Sequence, residues 1–125
     1  MKSNSFHKRA GLFLILISFL FMFEAQAQNN RQKYRLVISF VSICCGTNRE
    51  AHDKLDAFIS RYEKKKKKKL TMEKLRWGKE GEFDYCFQLK ELSKSEREKF
   101  IAEIKTLLKG EELIEIKENT TSYGR

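Results

Sequence analysis

A chain of 125 residues with 26 Lys plus Arg against 17 Asp plus Glu excludes a second domain of ordinary size and carries a net charge of +9. That excess points to anionic partners. Residues 1–27 read as an export signal, because Lys2, Lys8 and Arg9 precede an apolar run from Gly11 to Phe23 that ends in Ala25-Gln26-Ala27. The run is shorter than the roughly 20 residues needed to span a bilayer, so cleavage after Ala27 and a periplasmic or secreted product are expected. Cleavage removes three basic residues and one acidic one and leaves a net charge of +7.

Residues 28–33 form a short lead-in. Tyr34 to Ile43 is an unbroken β-branched and aromatic run, which predicts a strand in the middle of a sheet. Thr47-Asn48-Arg49-Glu50 has capping-box spacing, and Ala51, Leu55, Phe58, Ile59 and Tyr62 then recur on one helical stripe, so a helix starts near Asn48 and ends within Lys64 to Lys69. Leu70–Trp77 and Glu82–Leu89 read as a hairpin about the turn Gly78-Lys79-Glu80-Gly81. In its second strand Phe83, Tyr85, Phe87 and Leu89 alternate with Glu82, Asp84, Cys86 and Gln88, predicting one buried and one polar face. Ser93-Lys94-Ser95-Glu96 opens a second helix with a stripe of Phe100, Ile101, Ile104, Leu107 and Leu108, stopped by Gly110. Leu113–Lys117 is a last short strand.

The order β-α-β-β-α-β resembles the ferredoxin-like, split β-α-β arrangement: an α+β fold with a four-stranded antiparallel sheet and two helices on one face. Residues 34–118 make this single domain, and 119–125 a polar, flexible tail. In this topology one edge gathers Cys44, Cys45, Thr47, Asn48, Trp77, Lys79 and Glu80, a possible ligand edge. The opposite edge gathers Lys64, Lys65, Lys66, Lys67, Lys68 and Lys69 into a basic pole.

Export to an oxidising compartment makes a disulfide the expected state for cysteines of a small domain. Cys86 is the partner outside the adjacent Cys44–Cys45 pair, and strand alternation puts Cys45 on its face, so Cys45–Cys86 is the expected bridge and Cys44–Cys86 the alternative. A metal held by Cys44, Cys45 and Cys86 is the weaker functional reading: the site lies where heavy-metal-associated domains of this fold carry Cys-x-x-Cys, but the two intervening residues are absent. His52, seven residues after Cys45, reads as a solvated helix histidine.

Acid, base and nucleophile do not converge anywhere in the pattern, and no cofactor is expected. The sequence therefore reads as a small exported, non-enzymatic binding or accessory domain whose basic pole is suited to an anionic membrane surface, a polysaccharide or an acidic protein. Nucleic acid is not expected outside the cytoplasm. Two alternatives stand beside this reading. One is a metal- or thiol-dependent protein using Cys44, Cys45 and Cys86. The other is a protease-inhibitor-like or chaperone-like domain, since the layout resembles the prodomains of subtilisin-type proteases, which present an open sheet face to an enzyme.

Overall fold

The computed structural model describes residues 31–124; the expected export signal and its cleavage point lie outside the described residues. Strands β1 (Lys33–Phe40), β2 (Met72–Arg76), β3 (Phe83–Phe87) and β4 (Ile114–Thr121) and helices α1 (Arg49–Lys66) and α2 (Lys94–Leu107) follow one another as βαββαβ. The strands form one sheet in the order β2-β3-β1-β4, with every neighbouring pair antiparallel. This is the ferredoxin-like α+β fold that the sequence implies.

Local chemistry sets the helix starts. Asn48 is extended and its side-chain oxygen accepts the Ala51 amide at 3.0 Å, so Asn48 caps α1. Ser93 and Glu96 form a reciprocal capping box on α2: the Ser93 hydroxyl accepts from the Glu96 amide at 3.3 Å, and the Glu96 carboxylate accepts from the Ser93 amide at 3.1 Å. The stripes behind these caps meet the sheet. Leu36, Ile38 and Phe40 of β1 and Phe83, Tyr85 and Phe87 of β3 pack with Leu55 and Ile59 of α1 and Phe100 and Ile104 of α2 in one buried cluster.

The other sheet face differs from expectation. All five residues of β3 are buried, including Asp84 and Cys86, where alternation predicts a polar, wetted face. The cause lies in β1 and β4, whose pairing runs from Phe40–Ile114 through Lys33–Thr121 but skips Arg35 and Asn119. Asn119 is left-handed there (φ 53°), and Arg35 donates to its side-chain oxygen at 2.8 Å. Beyond this break the paired ends lie over the second face. Tyr34 is buried with Val37, Cys86 and Leu75, and its hydroxyl donates to Glu73 of β2 at 3.1 Å. Ser122 reaches Asp84 of β3, and a Cβ on Gly124 would lie 2.9 Å from the Leu75 Cβ on β2.

Two expectations change accordingly. β4 continues four residues past Lys117, and Ser122, expected in a flexible tail, is 3% exposed. β1 stops at Phe40 instead of Ile43: the Val41 amide still donates to the Leu113 carbonyl at 3.0 Å, but Leu113 is left-handed (φ 63°) and the ladder ends there.

Candidate functional site

Four groups of side chains carry chemistry, and the basic pole is the one with the most charge. α1 ends where Lys67 turns left-handed (φ 51°) and its amide, with that of Lys68, donates to the Glu63 carbonyl. The Glu63 carboxylate also accepts the Leu70 amide at 2.7 Å, so the chain reverses tightly around one glutamate. Lysines before and after the reversal consequently line one shallow, open hollow of about 460 Å³ together with Ser60 and Glu63. Lys66 and Lys68 pair with Glu96 at 3.3 and 3.6 Å. The Ser93 amide and then Lys66 hold the Glu96 carboxyl down at about 2. Lys64, Lys65, Lys67 and Lys69 make no ion pair with another described residue. The pole is thus a lysine comb with two teeth fastened to α2.

At the opposite edge the structure corrects the cysteine reading. Cys44 and Cys45 are exposed thiols and Cys86 is a buried one; neither the Cys45–Cys86 bridge nor the Cys44–Cys86 alternative is formed. Alternation gave Cys86 the right face but not the right height. Cys86 lies opposite Val37 of β1, whereas β1 ends at Phe40 and Cys45 sits five residues farther on, in a bend. The same separation takes Cys86 away from any three-cysteine metal site, and among the described residues no group of three His, Cys, Asp or Glu is placed to hold a metal ion. The Cys44 thiol is raised above its ordinary value by its hydrogen bond with Cys45, the opposite of the depression that makes a cysteine nucleophilic. A thiol reagent is expected to label Cys44 and Cys45 of native, unreduced protein quickly and Cys86 only after denaturation. Recovery of fewer than three thiols in denaturant without reductant would contradict this account.

The other residues assigned to this edge separate. Asn48, besides capping α1, donates from its side-chain amide to Glu111 at 3.3 Å and to the Glu112 carbonyl at 3.1 Å, closing the edge between α1 and the α2–β4 connection. Thr47 lies half-buried beside it, while Lys79 and Glu80 are exposed in the β2–β3 turn. Glu80 donates its amide to the Glu82 carboxylate at 2.8 Å, and Gly78 is required there because a Cβ would collide with Glu82.

Trp77 turns to the second sheet face. Its indole N–H donates to Asp84 Oδ1 at 2.9 Å, while Asp84 Oδ2 accepts from the Ser122 hydroxyl at 2.6 Å and the Tyr123 amide at 2.7 Å. Asp84 is 0% exposed, yet it fixes two exposed rings, Trp77 and Tyr123, with centroids 5.1 Å apart. A polar residue at an alternate strand position signals a wet face, so sequence reasoning missed this carboxylate. The one available signal was its neighbourhood of aromatic residues.

Sequence reasoning also missed the fourth group. His52 Nε2 lies 2.9 Å from Lys74 Nζ, 2.9 Å from the Tyr85 hydroxyl and 3.2 Å from Asp56, and its Nδ1 lies 3.4 Å from Asp53. Nε2 thus faces both the Lys74 ammonium, which can only donate, and the Asp56 carboxylate, which accepts, while Nδ1 faces Asp53. Tyr85 donates to Asp56, and Lys74 Nζ sits 4.2 Å from the Phe83 ring centroid. The signal in the sequence was Asp56 at i+4 from His52, one helical turn on.

This cluster ties α1 to β2 and β3. Burial, then the Asp56 bond, push the Tyr85 phenol far above its ordinary value of 10.0. The folded chain therefore keeps that proton longer than the unfolded one, so this contribution is intact below about pH 10 and is lost as pH rises beyond it. Tyr85→Phe is expected to cost about 1–2 kcal/mol at neutral pH. The wild type should then lose more stability than the variant between about pH 9 and 11 in chemical unfolding. Equal losses would refute the role of this phenol.

Among the described residues no helix is long and apolar enough to cross a membrane. Comparison with protein-family models, curated protein sequences and solved structures finds no match.

Proposed function

We propose that the protein is an exported, non-enzymatic binding domain that docks by its basic pole on anionic surfaces. The observation that carries this reading is the reversal of α1 at Lys67, which gathers lysines around one open hollow and leaves Lys64, Lys65, Lys67 and Lys69 without an ion-pair partner among the described residues. Surface lysines that only solubilise a helix end need no such arrangement. The export signal read in residues 1–27 supports a site of action outside the cytoplasm. Tyr34 and Ser122–Gly124 cover part of the second sheet face, which favours this reading over the inhibitor-like alternative that needs that face open.

Flexible lysines recognise charge rather than shape, so the binding must be screened by salt. Wild-type protein is expected to bind vesicles containing anionic lipid, and beads bearing a sulfated polysaccharide, at about 0.01 M salt, and to lose at least tenfold in affinity at about 0.15 M. Neutral vesicles should bind none. Binding that is independent of salt would overturn the proposal.

A further inference from the structure

The second sheet face holds a more enclosed hollow than the pole, about 240 Å³, lined by Arg31, Ser39, Lys117, Thr120, Thr121 and Tyr123 among others. We propose that it is a binding site for one acidic pyranose unit, a uronic acid. Its volume falls below the roughly 300–1,000 Å³ of sites for drug-sized ligands, which suits a single ring better than a long chain segment. A pyranose offers an apolar C–H face and a rim of hydroxyls, and the hollow offers a counterpart to each.

For the apolar face there is Tyr123, which is 52% exposed and leans on Trp77, itself 37% exposed. Two exposed rings in contact make a contiguous apolar patch, the kind of surface on which a ligand can rest. Neither ring is free to wander, because the Trp77 indole N–H and the Tyr123 amide are both bound to buried Asp84. Binding therefore orders little that is not already ordered. The Tyr123 hydroxyl is likewise held, donating to Glu115 at 2.9 Å and accepting from Lys117.

For the hydroxyl rim there are the side chains of Thr120 and Thr121 and, at the floor, Ser39. Ser39 is 1% exposed and lines the hollow from β1. The threonine hydroxyls can both donate to and accept from the hydroxyls of a sugar ring. For the acid there are Arg31, which makes no ion pair with another described residue, and Lys117. Glu115 already engages Lys117 at 2.7 Å, which leaves Arg31 as the main carboxylate anchor.

This proposal is independent of the basic pole, and one probe isolates it. Trp77 is the sole tryptophan of the chain, so intrinsic emission reports this face alone. Titration with glucuronate is expected to shift that emission saturably in the millimolar range typical of weak small ligands. Glucose and inorganic phosphate should each be at least fivefold weaker. Arg31→Gln and Ser39→Ala should each weaken the response by fivefold or more while far-UV circular dichroism stays unchanged. A variant with Lys64 to Lys69 replaced by glutamine should respond like the wild type. No change of emission with glucuronate overturns the site. A response matched by phosphate overturns the sugar assignment, and one matched by glucose overturns the acid assignment.

Discussion

Asp84→Ala is expected to destabilise the domain by about 3–5 kcal/mol, the largest effect of any single polar substitution in the molecule. The side chain is completely buried and accepts from three donors on three different segments: the Trp77 indole, the Ser122 hydroxyl and the Tyr123 amide. Alanine leaves all three without an acceptor, and Ser122, at 3% exposure, cannot turn to water. The segment from Ser122 to Gly124 then loses its anchor, and Leu75, against which Gly124 lies, loses its cover. Asp84→Asn keeps the shape but points an N–H at one donor or at two, so a smaller loss is expected. For a domain of this size about 3 kcal/mol lowers the melting temperature by roughly 12–24 °C. Emission of Trp77 in the folded variant should move to the red as the ring is released. An alanine variant with an unchanged midpoint and unchanged emission would show that the tail is not held by this residue.

Phe100→Ala should cost a similar amount, about 3–5 kcal/mol, by a different mechanism. Its ring is fully buried where α2 meets both α1 and the sheet, with centroids 4.8 Å from Tyr62, 5.7 Å from Phe58 and 5.7 Å from Phe87. Deleting it leaves a cavity bounded by rings held on two separate elements, Phe58 and Tyr62 on α1 and Phe87 on β3, so collapse around the gap is incomplete. Phe100→Leu fills most of the space and should cost less than half as much. Equal losses in urea unfolding for alanine and leucine would mean that the site relaxes freely, contrary to this packing.

These two positions also mark what was and was not legible in the sequence. Phe100 lies on a helical stripe behind a capping box, and both signals are local: periodicity within α2, and a side chain bonding a backbone three residues away. The whole βαββαβ order follows from signals of that kind. Asp84 was not legible, because its burial depends on β4 running on through Glu118, Asn119, Thr120 and Thr121. That stretch is polar throughout, yet its charges are satisfied from elsewhere, Glu118 by Arg35 at 3.7 Å and Lys105 at 2.7 Å. Composition cannot separate such a strand from a frayed end.

The cysteines illustrate a second limit. Parity along a strand tells which face a residue occupies, while a bridge also requires the same height, which depends on the pairing register. Register placed Cys86 beside Val37, below the loop that holds Cys45. His52 illustrates a third, since its partners Lys74 and Tyr85 are 22 and 33 residues away and meet it only when the hairpin packs on α1.

The most direct test of the proposed function compares the wild-type protein with a variant carrying Lys64→Gln, Lys65→Gln, Lys67→Gln and Lys69→Gln, which leaves the Glu96-bound Lys66 and Lys68 in place. At about 1 kcal/mol for each lysine near an anionic surface, the four changes should weaken binding to anionic vesicles by roughly a thousandfold at about 0.01 M salt. Stability should change little, because glutamine is also a good helix former and these side chains lie outside the core. A variant that folds like the wild type and binds the same vesicles equally well at both low and physiological salt would contradict the account.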